Sequence, residues 1–549
     1  MAVLVLVFLV GQVLFGATQI GNSNDDPGHQ ARTNHWLEVG WYLPGRFFED
    51  GSLRPDIETG RLHAYGAGYS IFAHVLAAVV GAEPWGATAN TAAVYIVRHG
   101  AVALLGVSAA LAVGYALLVV TGRRMVGAWA AAATLAMPLW TGYSMFAVKD
   151  IPAAAGWTFV TAALVVALVP KPGRWRPTAV GLLSFAGVWF AVGTRTALWV
   201  PVAVATVTFG ILVAFSPARR QLLASVIAAA VGLVAGLIGV AALHYRNVVT
   251  PVQWLLSSVR TSGDFPRNGL TLTAGQMVPT KPPWWYLPAW LGGSVPLLLG
   301  LLAVAGIALL AVALVRRPSR ESDKIQGRLG HCYAGMLLWA QQALLLPIAS
   351  IVIGATMYAG LRQHVYILPA LAAMAGLAAH WVTQRYHRGW RGAAVAALLI
   401  AAITVPAWEQ TLLFPYNYVY KNVAAGTIND RWETDNQWVS SREAVSYVPS
   451  GERANCYTRG TRTRTGDVVD PQIRRCQSRQ QVGVFLYQQG RNAAQVDAPD
   501  QVWVLAPKYN VTPPARGCRE QSNVTRWFRG EEVDMSYVLL CDASLLEQE

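Results

Sequence analysis

Along this chain the apolar residues come in unbroken runs of roughly twenty, not at alternate positions and not every third or fourth. The runs fall at about 2–20, 94–120, 127–146, 151–169, 177–193, 197–215, 221–243, 288–314, 333–356, 364–382 and 392–409. They predict eleven membrane-spanning helices. A run of that length crosses the roughly 30 Å hydrocarbon layer as a helix, which satisfies its own backbone polar groups there. Barrel strands would alternate apolar with polar positions, and these runs do not. The weaker segment 65–82, with Gly66, Gly68 and His74, predicts a helix lying on the membrane surface.

After 409 the pattern changes. Short apolar runs at 482–487, 501–507 and 535–541 sit between polar, turn-rich stretches and read as strands. The fold class is therefore an all-α polytopic membrane protein with a small α+β domain over 410–549. Two long loops, 21–64 and 244–287, are expected on the same side as that domain.

Composition closes off the other classes. Apolar residues make 54% of the 549, and charged residues 13%, against about 25% in a soluble protein. A soluble globular chain, a disordered chain and a coiled coil are excluded. The net charge of +14 serves topology first. Fifteen cations, among them Arg123, Arg124, Lys171, Arg174, Arg219, Arg316 and Arg385, fall in loops of one parity; the short loops of the other parity hold Lys149, Arg195 and Arg362. The richer side is expected to be cytoplasmic, in a cytoplasmic (inner) membrane, with the amino terminus inside and the tail outside. Residues 2–20 lack a preceding Lys or Arg and a small-residue cleavage site, so they are read as an uncleaved first span. No basic stretch is interleaved with a nucleic-acid reader motif, and no nucleic-acid partner is expected.

Four of five cysteines, Cys456, Cys476, Cys518 and Cys541, lie in the tail. An even number outside the cytoplasm predicts two disulfides, with three connectivities open.

The chemistry-bearing residues lie at span ends. Asp25 and Asp26 follow the first span, and Asp150 opens the fourth. Asp26 before Pro27 reads as a helix cap, which leaves Asp25 unexplained. Adjacent carboxylates repel, which raises one pKa and suits a base. Asp150 has its own cap reading before Pro152. Arg195, Arg246, Lys281 and Arg362 are isolated cations on the same side, candidates for a lipid phosphate or for plain snorkelling at the interface. No P-loop, nucleophile elbow or zinc-protease motif is present. A divalent cation (Mg or Mn) bridging acids and phosphate stays open.

Four stretches in order resemble the GT-C superfamily of membrane glycosyltransferases, near bacterial relatives of protein O-mannosyltransferases and aminoarabinose transferases (family 39-like). Asp25-Asp26-Pro27-Gly28-His29 is similar to its acidic pair. FAVKDIPAA at 146–154, with Lys149 and Asp150, is similar to its KDIPFA segment. LRQHVYILPALAAMAGL at 361–377 is similar to a late span opening on an arginine. The block 414–444 is similar to one ending ETDYWG-S-KEA, with Glu433, Asp435 and Ser441 matching. Ala153 departs from the family's aromatic, and 455–549 matches none of it.

The resemblance implies an inverting transferase at the outer membrane face. The donor would be a polyprenyl-phosphate sugar, mannose or another hexose, or a pentose. The acceptor would be a hydroxyl of protein, lipid or polysaccharide. It implies Asp25 as base, with Asp26 and Asp150 as orienting or acceptor-side acids. Lys149, Arg362 and Arg195 would meet the donor phosphate, His29 would bond the acids, and Glu433 and Asp435 would lie in a loop over the cavity or dock the tail. Rival readings are a polymerase or ligase of lipid-linked glycans, a transporter or flippase, and an assembly scaffold.

Overall fold

The computed structural model describes residues 1–43, 48–49, 52–53, 64–170, 173–244, 251–265, 267, 269–315, 323–450, 452–462, 468–475, 482, 484–485, 500–508 and 517–545. Lys171, Arg246, Arg316, Arg317, Arg320 and Cys476 lie outside them.

The chain opens with α1 (Ala2–Gln19), α2 (Asp26–Val39), the short strands β1 (Phe48–Glu49) and β2 (Ser52–Leu53), α3 (Gly68–Val79) and α4 (Ala92–Thr121). Next come α5 (Arg124–Leu135), α6 (Pro138–Ser144), α7 (Asp150–Ala167), α8 (Arg176–Thr194), α9 (Trp199–Ala214) and α10 (Arg219–Leu243). A loop region follows, with α11 (Pro251–Gly263), the hairpin β3 (Leu270–Thr273) and β4 (Gln276–Pro279), and α12 (Tyr286–Ser294). The helical part ends with α13 (Leu297–Val315), α14 (Asp323–Val352), α15 (Ile367–Arg385) and α16 (Gly389–Leu413).

Among the described residues ten helices are long and apolar enough to cross a membrane. The expected run at 127–146 is instead two helices, α5 and α6, because Pro138 has no N–H to continue the ladder. The run at 288–314 is likewise divided at Pro296 into α12 and α13. Helix α3, at 12 residues, is too short to span. Its Tyr69, Ala73 and Ala77 are buried, so it lies against the bundle.

Helix α7 is the axis of the bundle: every residue of its span is buried. Small residues make this close packing work. A Cβ on Gly156 would strike the backbone of Gly187, Phe190 and Ala191 on α8, so the two helices touch backbone to backbone. Gly232 and Gly236 bring α10 onto α8 in the same way. The outer helices α1, α10, α13 and α16 bury only about a third or less of their spans. Their other faces are Leu, Val and Ile, suited to lipid.

Beyond α16 the chain does not enter the sheet directly. Residues 414–450 form a strap, with α17 (Ser441–Ser446), packed over one end of the bundle. The strands β5 (Ala454–Arg462), β6 (Val468–Arg475), β7 (Gln501–Pro507), β8 (Cys518–Phe528) and β9 (Glu531–Asp542) then make one sheet in the order β6-β5-β7-β9-β8. Only the β5–β7 pair is parallel. Val524, Phe528, Val533 and Val538 on one face join the core of the bundle. Tyr457, Val502, Val504 and Leu539 form a second, smaller cluster on the other. The strand expected at 482–487 is absent at its described positions: Val482, Val484 and Phe485 are helical. Cys518 and Cys541 stand opposite each other in the β8–β9 register and are disulfide-bonded, and Cys456 is disulfide-bonded too.

Side-chain clamps fasten sheet and strap to the bundle. Arg526 on β8 donates to Glu443 at 2.6 Å and to the carbonyl of Phe414 at 2.8 Å. Arg529, in the β8–β9 turn, pairs with Glu409 on α16. Arg442 donates to the carbonyl of Thr18 at 2.6 Å, and the Gly21 amide donates to Val439. The end of the first helix is thus held by the strap.

Candidate active site

Alternation of the spans brings four chain segments to the same end of the bundle: the turn after α1, the turn before α7, the turn after α8 and the turn before α15. Each contributes a charged residue. Lys149 Nζ donates to Asp25 Oδ1 at 2.7 Å, and Arg362 Nη1 donates to Asp25 Oδ2 at 2.7 Å. Arg195 donates to Asp150 Oδ1, and Arg362 Nε stands 3.4 Å from Asp150 Oδ2. Arg362 therefore bridges the two acids. The sequence placed Asp25 and Asp150 on one side with Lys149, Arg195 and Arg362, and all five meet here.

The cluster carries two carboxylates against three cations, one excess positive charge. Lys149, Asp150 and Arg362 are buried, whereas the Asp25 side chain keeps 24% of its exposure. Burial alone would raise the Asp25 pKa. The ammonium of Lys149 and the guanidinium of Arg362 outweigh it and hold the carboxyl well below the usual range. This corrects the expectation that the neighbouring acid raises a base's pKa.

Asp26 turns the other way. Helix α2 begins at Asp26, with Asp25 at the cap position and no side-chain capping bond. Asp26 Oδ2 accepts from the amide and hydroxyl of Ser23 at 2.6 and 2.7 Å and faces His99 at 3.4 Å. It fixes the turn that aims Asp25, and it does not cap the following helix as expected. His29 does not bond the acids either: its Nδ1 meets the Tyr42 hydroxyl at 2.8 Å. Burial, then the nearby ammonium of Lys149, pushes the His29 ring well below its ordinary pKa.

Asp435 is fully buried in the strap. It accepts from Tyr418, from the Ser440 hydroxyl and amide, and from the Val439 amide. Ser440 in turn meets Ser536 on β9. Asp435 thus organises the docking of the sheet and stands in no contact with the charge cluster. The amide of Glu433 donates to Leu272, which ties the strap to the β3–β4 hairpin. Lys281 pairs with Asp264 in the open, away from the cluster.

Other residues at the site escaped the sequence reading. Tyr65 puts its ring 5.0 Å from Lys149 Nζ, and its backbone bridges to Arg195. Tyr358 lies beneath Arg362 and Arg267, at 5.8 and 4.2 Å. His364 Nε2 meets the Ser350 hydroxyl at 3.1 Å. Single aromatic and His residues in loops have no spacing to mark them. His364 alone had a pointer, two positions after Arg362.

Three members of the cluster, Asp150, Arg195 and Arg362, line a cavity of about 270 Å³, and Asp25 and Lys149 are not among its lining residues. Asp150, Arg195, Arg362 and His364 line its polar end. The remainder is mostly apolar, with Leu198, Val200, Leu346, Ile353 and Met357, and also holds Ser262, Ser350, Thr356 and Gln363. The Nε atoms of Arg195 and Arg362 are buried there with no hydrogen-bond partner. Charged head and apolar body together suit an anion carried on a hydrocarbon chain.

Both carboxylates already face cationic side chains, and among the described residues no group of three or more His, Cys, Asp or Glu is disposed to hold a metal.

No family model matches the chain, and no curated protein matches it. Among solved structures it is similar to ArnT from Cupriavidus metallidurans bound to undecaprenyl phosphate, with a TM-score of 0.47 and 13% identity over 100% of this chain and 99% of that one. It is also similar to the oligosaccharyltransferase of Archaeoglobus fulgidus in complex with Zn and sulfate, with a TM-score of 0.42 and 14% identity over 81% of this chain and 56% of that one.

Proposed function

We propose that the chain is a membrane glycosyltransferase that moves a sugar from a polyprenyl-phosphate donor to an acceptor hydroxyl, with inversion, at the outer face of a cytoplasmic membrane. Residues 1–409 would be the catalytic unit and 410–549 an extracytoplasmic domain. The observation that carries this reading is the excess positive charge of Arg195 and Arg362 over Asp150 at one end of a largely apolar cavity.

Before donor binds, Asp25 is tied by Lys149 and Arg362 and is a weak base. A donor phosphate entering beside Arg195 and Arg362 competes with Asp25 for Arg362. The Asp25 carboxylate is then less neutralised, and its basicity rises when substrate is present. Asp25 takes the proton of the acceptor hydroxyl as its oxygen attacks the anomeric carbon. The bond from that carbon to the phosphate oxygen breaks, and the phosphate leaves with its charge met by the guanidiniums. One carboxylate suffices because phosphate needs no proton to leave, unlike the alcohol of a glycoside. Asp150 stands between Arg195 and Arg362 and holds both in place.

The test is transfer of label from radiolabelled polyprenyl-phosphate mannose in membranes, native chain against Asp25→Asn, repeated with a pentose donor. Label moved to a new product only by the native chain supports the reading, and product size sorts protein from glycan acceptors. Label crossing the membrane on an unchanged carrier would replace it with the transporter reading.

A further inference from the structure

His364 is a buried imidazole for which the mechanism above has no use. It sits two residues after Arg362 in the short turn before α15 and lines the same cavity as Arg195 and Arg362. Its Nε2 meets the Ser350 hydroxyl of α14 at 3.1 Å, while its Nδ1 is buried with no hydrogen-bond partner. The Nε of Arg195 shares that condition, while that of Arg362 faces the Asp150 carboxylate at 3.4 Å. A buried donor without a partner is costly, and the two of Arg195 and His364 at the polar end of one cavity point to a ligand that accepts from both. Burial, then the cationic Arg195, pushes the His364 ring down to about 3. A neutral ring holds one proton. When the Ser350 hydroxyl donates to Nε2, that proton is on Nδ1, the free position.

We infer that His364 is a donor-binding residue whose Nδ1–H donates to the phosphate of the lipid-linked substrate, alongside the guanidiniums of Arg195 and Arg362. The inference rests on the transferase reading and deepens it. Arg362 answers to both Asp25 and phosphate. His364 makes no contact with Asp25, so its bond belongs to the ligand alone. Asp150 is the acid on this cavity, and its oxygens are taken up by Arg195 and Arg362. His364 therefore binds donor without tuning the base.

The experiment measures binding of undecaprenyl phosphate, without sugar or acceptor, to the full chain in uncharged detergent, and separately the donor KM and kcat of transfer. His364→Ala is expected to weaken lipid-phosphate binding and raise donor KM about tenfold or more, the worth of a hydrogen bond to a charged group, with kcat changed less than about threefold. His364→Asn, whose amide nitrogen can reach the place of Nδ1, is expected to recover most of the loss. Ser350→Ala, which frees the tautomer but keeps the ring, is expected to fall between them. Native-like binding by His364→Ala, or an Asn variant no better than Ala, overturns the inference. Failure of the transferase reading is separable: His364-dependent binding of undecaprenyl phosphate without any sugar transfer would sink the reaction and keep this site.

Discussion

Arg362 and Asp25 are joined by a 2.7 Å hydrogen bond although 337 positions separate them. The same guanidinium faces Asp150 at 3.4 Å. One side chain from a late turn thus sets the distance between the two acids that come from the first and second of the four turns at this end.

Substituting Asp25 by Asn keeps shape and removes the base. Transfer is expected to fall by about 10²-fold to 10⁴-fold, with the chain still folded and inserted. A second readout follows from the depressed carboxyl. Its folded pKa lies below the unfolded 3.8, so its stabilisation is complete above the unfolded value and is lost as pH falls through and below it. Asp25→Asn should therefore flatten the drop in melting temperature on acidification below about pH 5. Wild-type transfer rates in the variant would remove Asp25 from the chemistry.

Arg362→Lys retains the charge but gives up the fork that spans both acids. It should behave nearly as Arg362→Ala does, raising donor requirement far more than acceptor requirement. Initial rates with each substrate varied in turn would decide. A lysine variant with native donor dependence would reduce Arg362 to a simple counter-charge.

Gly156→Leu should separate α7 from α8 and with it Asp150 from Arg195. Even Gly156→Ala meets backbone atoms of Gly187 and Ala191, an overpacking cost of about 1–3 kcal/mol. Thermal unfolding in detergent, read beside transfer, is expected to fall in the order native, Ala, Leu.

Lys421 is buried with its Nζ over Trp290 and Trp432, at 4.5 and 5.4 Å, and donates to the Tyr420 carbonyl. Burial pushes its pKa down to about 7 from 10.5. Between those values the unfolded chain holds the extra proton, so stability from this group rises with pH from 7 to about 10.5. Below 7 both states are charged and the full penalty stands. Lys421→Met should melt higher than native near pH 6.5, and the gap should shrink towards pH 10. A gap independent of pH would mean that the amine is not the cause.

What could be read from the sequence divides along physical lines. Span positions were legible because twenty apolar residues in lipid leave few alternatives. The breaks at Pro138 and Pro296 were not, since apolar content is the same on either side of a broken helix. Asp25, Lys149, Asp150, Arg195 and Arg362 were legible because a charge at a span end has few cheap explanations. The orientation of Asp26 and His29 was not: neighbours in sequence choose opposite partners, Ser23 and Tyr42, that only the fold supplies. The strand expected at 482–487 failed because a short apolar run is helix or strand according to what it packs on.

The distance along the chain between Asp25 and Arg362 also sets an order in time. At translation rates of about 5–20 residues per second, Asp25 leaves the ribosome tens of seconds before its guanidinium partner exists. The strap that grips the carbonyl of Thr18 through Arg442 comes later still. A chain that stops before α15 lacks Arg362 and cannot hold the assembled charge cluster. The charge cluster can therefore assemble only after Arg362 has been made.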